Sequence, residues 1–223
     1  MPLEIKICGL RDEASLDAAL DGGADMVGFV FFPPSPRDIA VAEAAPLIAR
    51  ARGRALSVAL TVDPDDALLD AVVERARPGM IQLHGRETPQ RVAEIRARTG
   101  LPVMKAVGIA AAEDLATIAP YRGVADRILV DAKPPKGADR PGGHGRAFDW
   151  SLLAALDASL PFMLSGGLTA DNVADAVRAV RPAGVDVSSG VERAPGIKDT
   201  GLIARFIAEA RAADRPADTE RVD

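Results

Sequence analysis

A single α/β domain, closed as a (β/α)8 TIM barrel, is the fold this sequence predicts, and three observations predict it. Eight short apolar runs alternate with eight stretches of helical apolar spacing, the alternation that calls for a parallel sheet. Eight such units favour closure into a barrel. Glycine-rich turns follow the last two apolar runs, LSGGL and VSSG, whereas the first is followed by CGLRD with one glycine. An open doubly wound sheet, the alternative, more often carries its glycine-rich phosphate turn after the first strand.

The elements read in order as follows. Leu3 to Cys8 is strand-like and Gly9 ends it. Arg11 to Leu20 has helical spacing, and Gly22 and Gly23 stop it. Asp25 to Phe32 is almost continuously apolar, as a parallel strand covered on both faces should be. After PPSPR come a helix from Val41 to Arg52, a strand from Ala55 to Val62 and a helix from Pro64 to Arg77. Met80 to His84 is the fourth strand, with a helix over Pro89 to Thr99. Pro102 to Val107 is the fifth, with a helix over Ala111 to Ala119, and Asp126 to Asp131 is the sixth. A stretch rich in Pro, Gly and basic residues then precedes a helix near Trp150 to Leu156. Loops of that length are usually lids or disordered. Pro161 to Ser165 and Val185 to Ser188 are the last strands, with helices over Ala170 to Arg181 and Leu202 to Arg211. Residues 1–213 therefore form the expected barrel. Asp214 onward is polar with no apolar face, and is expected to fray.

Composition narrows the function classes. The chain has 223 residues, 48% hydrophobic and 26% charged, ordinary for a globular protein. Net charge is −5 with both signs well mixed, so no basic stripe points to nucleic acid. No apolar run reaches the roughly 18 residues a membrane span needs, and the opening MPLEIKICGL lacks the pattern of a signal peptide. A cytoplasmic protein is expected. Cys8 is the one cysteine, which excludes an internal disulfide and a cysteine-rich metal site.

A barrel of this kind carries its active site at the C-terminal ends of its strands. The polar residues there are Cys8, Arg37 in PPSPR, Asp63, Gln82, His84, Asp131, Ser165-Gly166-Gly167 and Ser188-Ser189-Gly190. A free cysteine is usually a buried small hydrophobe. Lys6, however, lies two residues before Cys8 and so shares its face of the strand. If that face is the lumen, the ammonium favours the thiolate. Asp186 is the expected partner of Lys6, because the first and eighth strands become neighbours on closure. Asp131 could be a helix cap or a solvated loop residue, but a long loop rather than a helix follows it. At the hinge of a lid that excludes water, its pKa would rise and it could donate a proton. Arg37, stiffened by prolines, reads as a solvated arginine or as a fork for a carboxylate or phosphate. Gln82 and His84 share one face, with core or hydrogen-bonding roles ahead of metal ligation. Lys105 and Lys133 read as solvated, with phosphate or substrate contact as the other possibility. Backbone N–H groups in the LSGGL and SSG turns, at Gly166, Gly167, Ser189 and Gly190, suit a phosphate.

Taken together, KICGL, GFVFFPPSPR, QLHG, LVDAK, GGHGRAFDW, LSGGL, VDVSSGVE and PGIKD resemble the phosphoribosylanthranilate isomerase family of tryptophan biosynthesis, from about Lys6 to Asp199. The resemblance implies an Amadori rearrangement of a phosphorylated small molecule without cofactor or metal. By motif, Cys8 matches the general base, Asp131 the general acid and Arg37 the residue that holds the anthranilate carboxylate. The glycine turns match the phosphate site, Lys6, Asp186, Gln82 and His84 stand as supporting residues, and His144 is given no role. A monomer or homodimer is expected, with neither nucleic acid nor membrane as partner. The related sugar-phosphate isomerase of histidine biosynthesis uses two aspartates and ends its first strand in Asp, where this chain has Cys8. A metal-dependent epimerase would need more strand-end histidines than His84. A non-catalytic phosphate-binding barrel would need neither Cys8 nor Asp131.

Overall fold

In a computed structural model, which describes residues 2–133, 149–156 and 160–214, eight parallel strands close into one barrel in sequential order. They are β1 (Glu4–Cys8), β2 (Met26–Phe31), β3 (Leu56–Thr61), β4 (Met80–Leu83), β5 (Val103–Ile109), β6 (Arg127–Ala132), β7 (Phe162–Leu164) and β8 (Gly184–Val187). Closure is made by β1 on β8, with Lys6 opposite Asp186 and Ile7 opposite Val187. The expected lid stretch, including His144, and the tail from residue 215 lie outside the described residues.

The alternation of side chains along each strand divides the apolar residues into two sets. One set, with Ile5, Ile7, Val27, Phe29, Ala59, Ile81 and Val130, packs against the helices. The other, with Met26, Val58, Met80, Met104, Leu129 and Met163, fills the lumen. Methionine suits that position because its unbranched thioether fills irregular gaps between strands. With the lumen plugged below, polar side chains on the same inward face can meet only at the C-terminal rim.

The helices are α1 (Glu13–Asp21), α2 (Val41–Ala51), α3 (Asp66–Ala71), α4 (Pro89–Thr99), α5 (Val173–Val180) and α6 (Thr200–Asp214). For α4 the sequence signals are complete. Thr88 Oγ1 accepts from Arg91 N at 3.2 Å, Pro89 occupies the first turn, and Gly100 closes the helix with φ of 65°.

Elsewhere the structure departs from the sequence reading. The helix expected to reach Arg77 widens into a π segment at Val72–Ala76, and Arg77 turns left-handed ahead of Pro78. The fifth and sixth crossovers, expected as α-helices, are 3-10 helices at Ala112–Tyr121 and Trp150–Ala155. In the first of them, side chains compete with the backbone ladder: Asp114 Oδ2 accepts from Ala110 N and Ala111 N, and Thr117 Oγ1 donates to Asp114 O. Asp214, read as the start of the fraying tail, is the last residue of α6, and its Oδ2 accepts from Leu3 N at 2.9 Å. Between β8 and α6 lies an unforeseen hairpin of β9 (Glu192–Ala194) and β10 (Ile197–Lys198), which sets Lys198 opposite Glu192.

Candidate active site

Around the ring, β7 and β8 separate β6 from β1. The rim therefore reads, in spatial order, Asp131, the two glycine turns and Cys8.

Lys6 is fully buried and its Nζ donates to Asp186 Oδ1 at 2.8 Å. Ser165 Oγ donates to the other carboxylate oxygen at 3.4 Å. Burial pulls the Lys6 ammonium down, but Asp186 and Cys8 outweigh it and hold the group above its ordinary value. One step up the same face, Cys8 packs against Val30 and Leu60. Room for its sulfur comes from Gly28, where a Cβ would stand 2.8 Å from Sγ. Lys6 favours the thiolate, as its place on the strand implies, but it does not decide the balance. Burial pushes the thiol above its ordinary value, and Asp186 adds to that push while Lys6 and Lys198 oppose it. The ammonium is present, but it arrives with its own carboxylate.

Arg37 is placed by its local turn: Ser35 Oγ accepts from Arg37 N at 3.1 Å, and Asp38 Oδ1 accepts from Phe32 N at 2.7 Å. Its stem crosses the Gly9 turn, where a Cβ would lie 2.7 Å from Arg37 Cδ; Gly9 also has φ of +79°. The guanidinium is not the free fork of the sequence reading. It is buried, and Nε and Nη2 donate to Glu192 Oε1 and Oε2 at 2.7 and 2.9 Å. Lys198 Nζ donates to Glu192 Oε1 at 2.9 Å and to Ser188 O at 2.9 Å. Ser188 Oγ in turn donates to Cys8 O at 3.0 Å. Burial pushes the Glu192 carboxyl up, but Arg37 and Lys198 outweigh it and hold it below the usual range. Lys198 goes the other way, pulled down by burial more than Glu192 restores.

On β6, Asp131 points its carboxyl to the rim. Oδ1 accepts from Ala132 N at 2.9 Å, and Oδ2 lies 3.1 Å from His84 Nε2. Gln82 Nε2 lies 3.2 Å from His84 Nδ1. With the amide donating, Nδ1 accepts and the protonated Nε2 faces Asp131. Gln82 is fully buried, and its Oε1 has no partner among the described residues. The loop carrying His84 is braced from below. Lys105, read as solvated, is buried and donates to Glu87 Oε2 at 2.9 Å and Gly85 O at 2.8 Å. Lys133 is half exposed and pairs with Asp114 at 2.8 Å.

The two glycine turns meet. A Cβ on Gly190 would collide with the Leu168 carbonyl oxygen, and one on Gly166 with Ala132 N. Gly166 and Gly167 have φ of 91° and 67°, which only glycine adopts without strain. Their N–H groups donate to no acceptor among the described residues. Asn172 fixes the turn, accepting from Thr169 N at 2.8 Å and donating to Gly167 O at 2.9 Å. Ser189–Val191 is one 3-10 turn. Among the described residues no group of three or more His, Cys, Asp or Glu is arranged to hold a metal.

Two residues of this rim escaped the sequence reading: Glu192 and Lys198. Their signal is present in the chain, two opposite charges flanking a Pro-Gly turn directly after the eighth strand.

The family described as N-(5'-phosphoribosyl)anthranilate (PRA) isomerase matches residues 5–209. A protein of Rhodopseudomonas palustris (strain BisA53), named N-(5'-phosphoribosyl)anthranilate isomerase, is 62% identical over 96% of this chain and 99% of its own. The crystal structure of phosphoribosyl anthranilate isomerase from Thermotoga maritima superposes with a TM-score of 0.85 at 36% identity, over 94% of this chain and 99% of that one. A second structure of an enzyme of that name holds reduced 1-(o-carboxyphenylamino)-1-deoxyribulose 5-phosphate. It superposes at 0.82 with 33% identity over 94% and 99% of the two chains.

Proposed function

The chain belongs to the N-(5'-phosphoribosyl)anthranilate isomerase family, and on that footing we propose how its rim carries out the reaction. It is an isomerase of tryptophan biosynthesis, of the aldose–ketose type. N-(5'-phosphoribosyl)anthranilate becomes 1-(2-carboxyphenylamino)-1-deoxyribulose 5-phosphate, with C2' oxidised and C1' reduced inside one molecule.

One observation carries the assignment of roles. In the ring of strands, the glycine turns of β7 and β8 lie between the carboxyl on β6 and the thiol on β1. A phosphate held by the amides of Gly166, Gly167, Ser189 and Gly190 would place its pentose with one group on each side. Asp131, as general acid, gives a proton to the ribose ring oxygen as the C1'–O bond breaks, and the nitrogen lone pair closes to an iminium. Cys8, as thiolate, takes the C2' proton, and the C–H electrons form the enolamine. Loss of the 2'-hydroxyl proton and protonation at C1' complete the ketone. His84, held by Gln82, keeps the Asp131 carboxyl in place, and Lys6 and Asp186 fix the floor under Cys8. Arg37 takes the anthranilate carboxylate. The acid–base pair needs distinct environments, and the two sides of the rim supply them. Each step moves protons among the substrate and this chain's own side chains.

The assay is direct. Phosphoribosylanthranilate fluorescence should fall on adding the protein, and a trace that stays flat would end this reading. A cytoplasmic location is inferred from the biosynthetic role of the family. No described helix is long and apolar enough to cross a membrane. The assembly is read as a monomer or a homodimer. The described surface exposes one large apolar side chain, Ile197, which favours the monomer, and sedimentation velocity measures it.

A further inference from the structure

We infer that Glu192 is the residue that makes the site selective for a substrate bearing a carboxylate on its ring, by clamping Arg37 in one orientation with its second bidentate edge turned to the ligand. This deepens the reading of Arg37 given above and rests on it.

A guanidinium offers two edges for bidentate pairing, a side edge of Nε with one Nη and an end edge of the two Nη groups. Glu192 fills the side edge of Arg37 at 2.7 and 2.9 Å. The end edge, Nη1 with the second N–H of Nη2, has no partner among the described residues. A ligand carboxylate can therefore meet Arg37 from that direction alone. The clamp is anchored at both ends. The hairpin register sets Lys198 opposite Glu192, and Lys198 and Ser188 tie the pair to the backbone of Cys8. The stem of Arg37 lies across Gly9. The free edge is thus fixed relative to the base.

The charge of the cluster draws the carboxylate, and the clamp decides the edge that meets it. Arg37, Lys198 and Glu192 have side chains 6%, 1% and 4% exposed. Two cations share one carboxylate, and the neighbouring Lys6–Asp186 pair is already balanced. An unpaired buried charge is costly. A second carboxylate offsets it, whereas a neutral ring leaves both the charge and the donors unmet, the situation in which a site rejects an analogue most strongly. Glu192 could instead be a stand-in that the substrate must displace, and the same variants decide between the two.

The test is calorimetric binding of two probes: a reduced, non-reacting form of the product, and its anilino counterpart without the ring carboxylate. Wild type should prefer the carboxylated probe. Glu192→Gln should cut that preference by about tenfold, the scale of a charged hydrogen bond, because loss of the clamp outweighs the positive charge it uncovers, with anilino affinity held within about twofold. Glu192→Asp keeps the charge but lacks the reach for both nitrogens. It should lose preference in the same direction and carries the test if the Gln variant does not fold. An unchanged or increased preference in the folded Glu192 variants overturns the inference, as does an equal loss of both probes. Arg37→Met separates the two levels. If it keeps the wild-type preference, the carboxylate role of Arg37 fails and this inference with it. If it abolishes the preference while the Glu192 variants keep it, only the role of Glu192 falls.

Discussion

On the β8–β1–β2 side of the rim, Cys8 stands among five buried ionisable groups: Lys6, Asp186, Arg37, Glu192 and Lys198. On the β4–β6 side, Asp131 is held by one imidazole and one peptide N–H. The contrast teaches that density of charge is not the same as activation. Lys6 is committed to Asp186 and Lys198 to Glu192, and Asp186 itself works against ionising the thiol. With the Coulombic pulls largely opposed, burial decides, and the Cys8 thiol is held above its ordinary value. On the plainer side almost nothing but hydrogen bonding sets the carboxyl, so its orientation is the controlled quantity.

The strongest way to break this comparison is to unbalance the charged side. Lys6→Met leaves Asp186 buried without its cation, which should cost about 3–5 kcal/mol of folding stability. Replacing both, as Lys6→Met with Asp186→Leu, should recover most of it. Denaturant unfolding measures each. A loss under about 1 kcal/mol for the single change would show that the charges on this side are not held as balanced pairs. Next in size are the two reactive groups themselves. Cys8→Ser and Asp131→Asn should each lower kcat by about 10²-fold or more, with little change in substrate binding. Near wild-type turnover in either would reduce that side of the rim to a binding surface.

What could be read from the chain alone follows the same division. Strand parity was legible, because two-residue alternation is local: Lys6 and Cys8 had to share a face, and closure had to bring Asp186 beside Lys6. The length of α4 was legible because Thr88, Pro89 and Gly100 mark its ends chemically. The 3-10 crossovers were not, since apolar spacing over ten residues separates periods of 3.0 and 3.6 poorly. Strands of three and two residues, as in β9 and β10, are too short to show a period. With that hairpin unseen, Glu192 could not be placed against a guanidinium 155 residues away. The state of Cys8 stayed open in the sequence for a related reason. A neighbouring ammonium is visible in the sequence, but its prior commitment to a carboxylate, and the depth of burial, are tertiary facts.

The resting thiol gives a pH signature. Below the pKa of Cys8, the thiolate fraction of the free enzyme rises about tenfold per pH unit, so the ultraviolet absorbance of the thiolate should climb from neutral pH into the alkaline range. The stability sign is opposite. A thiol raised in the folded state favours its neutral form there, so its contribution is fully present below the unfolded thiol pKa. It is lost as pH rises through the folded value. Alkaline buffer should therefore raise the thiolate signal while weakening the fold, and Cys8→Ser should remove both trends. A thiolate signal already complete at pH 7 would mean the thiolate is already formed, contrary to the contrast drawn above. Of similar size, Arg37→Ala should raise KM by about tenfold with a smaller change in kcat. An unchanged KM would assign Arg37 to holding the hairpin through Glu192 alone.

The smallest effect sharpens the comparison furthest, because it alters position without altering charge. Gly28 faces Cys8 across the β1–β2 pair, and a methyl there would sit 2.8 Å from Sγ and 3.3 Å from Cβ of Cys8. Gly28→Ala leaves every ion pair in place and should push the sulfur aside by a few tenths of an ångström. If the thiol acts by contact with C2', kcat should fall several-fold, on the order of three to ten, since small misplacements of a reacting group carry large rate penalties. KM and the pH midpoint of the thiolate signal should hold. The matching displacement on the other side comes from Gly166→Ala, whose methyl would meet Asp131 Oδ1 at 3.0 Å. It would also strain a backbone at φ of 91°, so it changes stability as well. A Gly28→Ala enzyme with unchanged kcat but a shifted pH midpoint would show that the sulfur acts through its charge on the site rather than as the base itself.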